Sequence, residues 1–312
     1  MREQTIPVID FGALSRRESH ALDGFGRALE ELGFVALEGH GIPDGIFEDA
    51  YAAYRRFFAL ADATKRRYED AASGRQCGYT SFGVEHAKDN PTPDLKELFH
   101  VGREGGKHPN LWPDEIPELR EVSLALFARL DATAHELLGA LGQYLGEPRE
   151  TLQDLAHRGN AVLRIIHYPV CDGFDQPGAM RAAQHEDINL MTLLPPADQS
   201  GLEILTRDGE WLPVVAVPGQ IIVDTGDMMK RITDDRIAAT THRVVNPTGV
   251  PKPRYSMPFF VHPHVDAVLE TLASCVPKHG EAKYPPIAYE EFLLERLRDI
   301  GLAEPTDRND PQ

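Results

Sequence analysis

The stretch Gln184-His185-Glu186-Asp187-Ile188-Asn189-Leu190-Met191-Thr192-Leu193-Leu194 joins a polar head to an apolar run. Leu190 to Leu194 has the length and composition of a buried strand, and the head sets a histidine and an aspartate two residues apart. On an extended strand residues i and i+2 point the same way. His185 and Asp187 are therefore expected to present an imidazole and a carboxylate to one point while Glu186 faces elsewhere.

That spacing is weak alone. With 13 His and 24 Asp in 312 residues, roughly one His-x-Asp arises by chance, and a second copy stands at His264 and Asp266. The second copy follows Pro263 and reads as a polar loop. The first is followed, 55 residues beyond Asp187, by His242 in Thr241-His242-Arg243-Val244-Val245, and 12 residues later by Arg254-Tyr255-Ser256. Two imidazoles and one carboxylate on one face of a metal leave the other positions open, as non-haem Fe(II) requires to hold a co-substrate and dioxygen together. His185, Asp187 and His242 are the candidate ligands, and oxygenation is the chemistry they suggest.

Arg254 and Ser256 alternate with Tyr255, so their polar ends share one face of an expected strand. A guanidinium fork takes a carboxylate bidentately and a neighbouring hydroxyl adds a hydrogen bond. Between Pro253 and the apolar run Met257 to Val261, an inward Arg254 needs a partner, which a bound dicarboxylate would supply. Tyr168, in Ile166-His167-Tyr168-Pro169, could add a phenol.

The surrounding texture sets the fold. From Ala161 onward, short β-rich runs (Val162 to Tyr168, Ile188 to Leu194, Leu202 to Thr206, Gln220 to Asp224, His242 to Val245, Tyr255 to His262) lie between Pro, Gly and Asp clusters. Such punctuation predicts a sandwich or jelly roll. The first third reads as helix and strand mixed. Helices are expected over Ser19 to Leu32, Pro43 to Ala61 and Pro117 to Leu145, with the aromatic stripe Phe47, Tyr51, Tyr54, Phe57 and Phe58 taken as core. A last amphipathic helix is expected from Tyr289 to Ile300, with a loose polar tail from Glu304. No linker separates two units. One domain over 1–312 is expected, with a helix-rich part (1–155), a jelly-roll core carrying the metal site (156–285) and a C-terminal helix and tail (286–312).

Composition narrows the partners. The formal net charge of -17, from 49 acidic against 32 basic residues, disfavours nucleic acid and anionic membrane surfaces. No stretch approaches the ~18 apolar residues of a membrane span and the N-terminus has no leader-like pattern, so a cytoplasmic location is expected. Three scattered cysteines outline neither a disulfide framework nor a CxxC site. A small-molecule substrate and a monomer or weak homodimer complete the expectation.

Several of these segments resemble the isopenicillin N synthase-like branch of the Fe(II)/2-oxoglutarate-dependent dioxygenases. Ile6-Pro7-Val8-Ile9-Asp10-Phe11 looks like the family's opening. Gly33-Phe34-Val35 through His40-Gly41-Ile42-Pro43, and Val217 to Asp227, are similar to two further family segments, as are His242 to Pro247 and Arg254 to Phe260. The resemblance implies a distorted double-stranded β-helix (a jelly roll) with flanking helices, and iron on His185, Asp187 and His242. It also implies 2-oxoglutarate chelating that iron, with its far carboxylate on Arg254 and Ser256 and a further contact from Tyr168. The implied activity couples dioxygen to decarboxylation of 2-oxoglutarate to succinate, with hydroxylation of a small organic molecule the commonest outcome. Two departures stand out: Ile166 stands where many plant members of the family carry Asn, and Asp224 where Asn is usual.

Two rivals belong beside this reading. One is an iron oxidase of the same fold that does not use 2-oxoglutarate, and the other a non-catalytic metal-dependent binder of small molecules. The substrate pocket is expected around Gly78 to Lys88, Leu98 to His100 and the C-terminal helix.

Overall fold

A computed structural model of the chain describes residues 5–71, 75–86, 92–171, 177–215, 217–248 and 250–299. The expected tail from Glu304 and the end of the last helix at Ile300 lie outside these residues. In chain order the strands are β1 (Val8–Asp10), β2 (Phe34–Glu38), β3 (Gly78–Thr80), β4 (Glu97–Gly102), β5 (Val162–Tyr168), β6 (Ala182–His185), β7 (Met191–Leu194), β8 (Leu202–Leu205), β9 (Trp211–Pro213), β10 (Gln220–Thr225), β11 (His242–Val244), β12 (Arg254–Ser256) and β13 (Phe259–Val261), followed by the small pair β14 (Val268–Leu269) and β15 (Ile287–Ala288). The helices are α1 (Phe11–Ser15), α2 (Ser19–Glu31), α3 (Asp44–Phe58), α4 (Asp62–Lys65), α5 (Leu119–Leu145), α6 (Arg149–Ala156), α7 (Asp227–Ile232) and α8 (Tyr289–Asp299).

Two sheets form the jelly roll. The larger runs β1-β2-β10-β7-β13-β5-β4-β3, with β12 also paired to β5, and the smaller runs β6-β11-β8-β9. Strand alternation explains how they stack. On β5, Leu163 and Ile165 join the core formed with the helices. Ile166 and Tyr168 instead meet Ala182, Leu202, Ile204 and Val244 of the smaller sheet. The same strand thus feeds two cores because successive side chains point to opposite faces. The aromatic stripe of α3 is buried in the helix-side core as its spacing predicts, and α5 ends at Gly146 in the left-handed region (φ 88°).

Three expected elements differ. The expected helix Pro43 to Ala61 ends at Phe58, and a separate short α4 follows. The run Tyr255 to His262 is two strands, because Met257 and Pro258 interrupt it and a proline cannot donate to the ladder. The strand expected from Ile188 begins only at Met191, which changes how Asp187 is held. No helix among the described residues is long and apolar enough to cross a membrane.

Candidate metal centre

His185 closes β6 and His242 opens β11, and the two are direct partners across that antiparallel pair. Their ring centroids lie 4.4 Å apart. Each ring is set by its own strand: the Nδ1 of His185 is 2.7 Å from the Ala183 carbonyl and the Nδ1 of His242 is 3.1 Å from the Thr240 carbonyl. A carbonyl oxygen can only accept, so each Nδ1 carries the hydrogen and each Nε2 keeps its lone pair. Phe34 meets the His242 ring edge-on at 5.6 Å.

Asp187 does not share a strand with His185. It lies in the turn between β6 and β7, which corrects the expectation that i and i+2 alternation aims both groups. The turn reaches the same place by other means. Its carbonyls at Asp187 and Ile188 accept from the amides of Asp227 (2.8 Å) and Met228 (3.2 Å) at the start of α7. Gly226 permits that approach, since a Cβ there would sit 2.6 Å from the carbonyl oxygens of Asp187 and Asn189. Asp187 Oδ1 is then 3.9 Å from His185 Nε2 and 3.8 Å from His242 Nε2.

One donor atom from each residue lies within 4.8 Å of the others. Burial, and then the neighbouring His242, lower the His185 imidazole to about 4, so it is neutral and able to ligate near pH 7. The second oxygen of Asp187 accepts from Thr192 Oγ1, which in turn accepts from Asn189 Nδ2 at 2.9 Å. Asp224, across from Thr192 on β10, also hydrogen-bonds Asp187, and burial first, then the Asp187 charge, raise its carboxyl well above the usual range. Two imidazoles and one oriented carboxylate suit a divalent transition metal such as Fe(II).

The anion pocket lies on the larger sheet. Arg254 pairs with Tyr168, and Ser256 with Ile166, across β12 and β5. Arg254, Ser256 and Tyr168 are all buried, and the same cavity also reaches His185, Asp187 and His242. Arg254 donates through Nη1 to Ser256 Oγ and through Nε to the Gln199 carbonyl, both at 3.1 Å. Among the described residues no carboxylate lies within 4.0 Å of its guanidinium, and Nη2 has no hydrogen-bond partner. A buried guanidinium without an acid calls for an anion, and the carboxylate end of a dicarboxylic acid supplies one.

Residues 6–115 match the family described as non-haem dioxygenase in morphine synthesis N-terminal, and residues 159–263 match the 2OG-Fe(II) oxygenase superfamily. A 2-oxoglutarate-Fe(II) type oxidoreductase, hxnY, of Emericella nidulans is 30% identical over 92% of this chain and 88% of its own length. The chain belongs to the 2OG-Fe(II) oxygenase superfamily. Among solved structures, a 2OG-Fe(II) oxygenase family protein of Caulobacter crescentus superposes with a TM-score of 0.85 at 36% identity, covering 95% of this chain and 99% of that one. A full-length Neurospora crassa protein solved in complex with alpha-KG gives 0.87 at 26% identity, covering 95% and 97%.

As a superfamily member the chain is an oxidoreductase that takes Fe(II), 2-oxoglutarate and dioxygen and oxidises a small organic molecule. The cavity beside these groups has further lining residues, and the sequence expectation covers only part of them. Within Gly78 to Lys88, Glu85 and His86 line the cavity, while Ala87 and Lys88 lie outside the described residues. Leu98 instead packs between the sheets, and His100 is buried against the Arg75 carbonyl at 2.8 Å. From α8, Leu293 and Leu297 reach the cavity as expected.

Arg164, Phe260 and His262 were missed. A signal for them existed: Arg164 is on the Ile166 and Tyr168 face of β5, and Phe260 and His262 continue the even-numbered stripe begun by Arg254 and Ser256. The control pair His264 and Asp266 lies outside the strands, as its proline suggests. Burial pushes the Cys275 thiol up, which agrees with an unreactive residue.

Proposed function

We propose that His185, Asp187 and His242 hold ferrous iron, that Arg254, Ser256 and Tyr168 hold 2-oxoglutarate, and that the chain hydroxylates a small organic molecule in the cavity between them. The observation that carries this reading is the convergence of three ligand atoms within 4.8 Å in one cavity with a buried guanidinium that, among the described residues, lacks an acidic partner. When bound, Fe(II) supplies the activation of dioxygen that is coupled to decarboxylation of 2-oxoglutarate to succinate.

The chain's own residues do the rest. Arg254 gives one end of the diacid a fixed, charge-assisted seat. Tyr168, its ring centroid 5.1 Å from the Arg254 guanidinium carbon, flanks that seat and offers a hydroxyl. Thr192 and Asp224 hold Asp187 in one orientation, which keeps the ligand set preorganised. Ile188, Leu194, Leu202 and Val244 line the cavity with apolar surface and keep water from the reacting centre.

We also propose that the parts 1–155, 156–285 and 286–312 act as one oxygenase domain, in the cytoplasm, as a monomer or weak homodimer without nucleic-acid or membrane partners. The net charge of -17 supports the last point. Anaerobic loading with Fe(II) and 2-oxoglutarate, followed by oxygen and a substrate screen, tests the reading: matched substrates should accelerate succinate release, and Asp187→Ala should abolish it together with metal binding. Oxygen uptake without succinate would contradict the role of 2-oxoglutarate.

A further inference from the structure

One part of the cavity wall, on the same lining as the anion pocket, is built from charges that cancel. Lys96 Nζ lies 2.8 Å from Asp94 and 3.6 Å from Glu85, and Arg164 Nη1 lies 3.1 Å from Glu85. Two acids and two bases form one chain of ion pairs, and Asp94, Lys96 and Glu85 are buried. Burial alone would raise the Glu85 carboxyl, but the Arg164 and Lys96 charges outweigh it and bring it to about 2, so it stays ionised. His262, also on the wall, is lowered to about 4 by burial and is neutral.

On the reading proposed above, the other buried charges of the loaded site balance as well: ferrous iron and Arg254 are matched by Asp187 and the two carboxylates of 2-oxoglutarate, while Glu186, a further acid on the lining, is exposed. A charged substrate would bring an unmatched charge into a buried site, at large cost.

One side chain on this wall keeps unused donors. Arg164 spends Nη1 on Glu85, and its Nε and Nη2 have no hydrogen-bond partner among the described residues. The Nε is buried, whereas the side chain as a whole keeps 18% of its surface open and borders the cavity. Its guanidinium carbon is 5.0 Å from the centroid of the Phe260 ring, which holds the fork in place. Glu85 beside it is an acceptor with one oxygen, Oε2, in only a long 3.5 Å contact. Phe260 packs against Arg164, and Leu293 and Leu297 add apolar surface to the same cavity.

We propose that Arg164 and Glu85 are the specificity-determining pair for the substrate to be oxidised, and that this substrate is an uncharged compound with an amide-type edge. The carbonyl oxygen accepts from Arg164 Nη2, the adjacent N–H donates to Glu85, and the apolar body rests against Phe260, Leu293 and Leu297. This inference rests on the proposed iron and 2-oxoglutarate site, which fixes where the substrate must lie.

The test uses the full chain loaded with redox-inert Zn(II) and saturating 2-oxoglutarate, with binding followed by ligand-observed NMR. Three probes of similar size are compared: the cyclic amide 2-piperidone, cyclohexanecarboxylate and cyclohexylammonium. The expected result is that 2-piperidone binds at least roughly tenfold more tightly than either charged probe. Arg164→Met should weaken it by roughly tenfold, the range for losing a hydrogen bond to a charged group, and Arg164→Lys should restore part of the loss. The far-ultraviolet spectrum and 2-oxoglutarate binding of each variant establish that it is folded.

Tighter binding of a charged probe would overturn the proposal. So would unchanged 2-piperidone affinity in Arg164→Met, or no 2-piperidone binding to protein that does bind 2-oxoglutarate. Failure to bind 2-oxoglutarate in the presence of metal would instead overturn the site reading itself.

Discussion

The carboxyl of Asp224 hydrogen-bonds the carboxylate of Asp187 in the interior of the jelly roll. Two carboxyl groups can do this only when one keeps its proton, and burial assigns that proton to Asp224. A neutral donor is also what an asparagine would provide. Asp224→Asn should therefore retain metal affinity to within a few-fold, whereas Asp224→Leu, which removes the donor from Asp187, should weaken it by roughly 10- to 100-fold. Metal titration of both variants checks the pair, and equal affinities for Asn and Leu would remove Asp224 from the supporting set.

Arg254 gives a second test, because its charge and its shape can be separated. Arg254→Lys keeps a cation but replaces the fork with a point charge, so affinity for 2-oxoglutarate should fall roughly tenfold or more while metal stays bound. Calorimetric titration of 2-oxoglutarate into the Zn(II) form measures this. Unchanged affinity would place the diacid elsewhere.

Acid stability should depend on His100. Burial, then the neighbouring Arg164 charge, lower its folded-state value to about 3 from the ordinary 6.5. The unfolded chain gains a proton as pH falls through 6.5, and the folded chain does not until about 3. The resulting stability is complete above 6.5 and is lost progressively between those values, at about 1.4 kcal/mol per pH unit. His100→Asn keeps a donor for the Arg75 carbonyl and removes the titration. Its unfolding free energy between pH 6 and 4.5 should fall less steeply than that of the unchanged chain by about that slope. Parallel slopes would contradict the assignment.

Much of the site was legible because alternation on strands is strict. That Arg254 and Ser256 share a face follows from the i, i+2 rule alone, whereas their standing against Tyr168 and Ile166 is set by the pairing of β12 with β5. His242 was found by conjunction, since nothing local marks it. Asp187 was found for a partly mistaken reason: its aim comes from the amides of Asp227 and Met228 closing on a turn beside Gly226, a long-range contact that strand periodicity does not encode. The ion-paired wall was illegible for a similar reason. Glu85 falls in the expected pocket segment and Arg164 on the pocket face of β5, but their ion pairing with Lys96 and Asp94 is a tertiary contact, with Lys96 standing just before the stretch of β4 that pairs with β5.

The most direct measurement is a crystal structure of the chain with Mn(II) and 2-oxoglutarate, prepared without oxygen. The account predicts one metal ion bonded to His185 Nε2, Asp187 and His242 Nε2, with the far carboxylate of 2-oxoglutarate on Arg254 and Ser256. A metal ion held by other side chains, or a 2-oxoglutarate that leaves the Arg254 guanidinium unpaired, would contradict it.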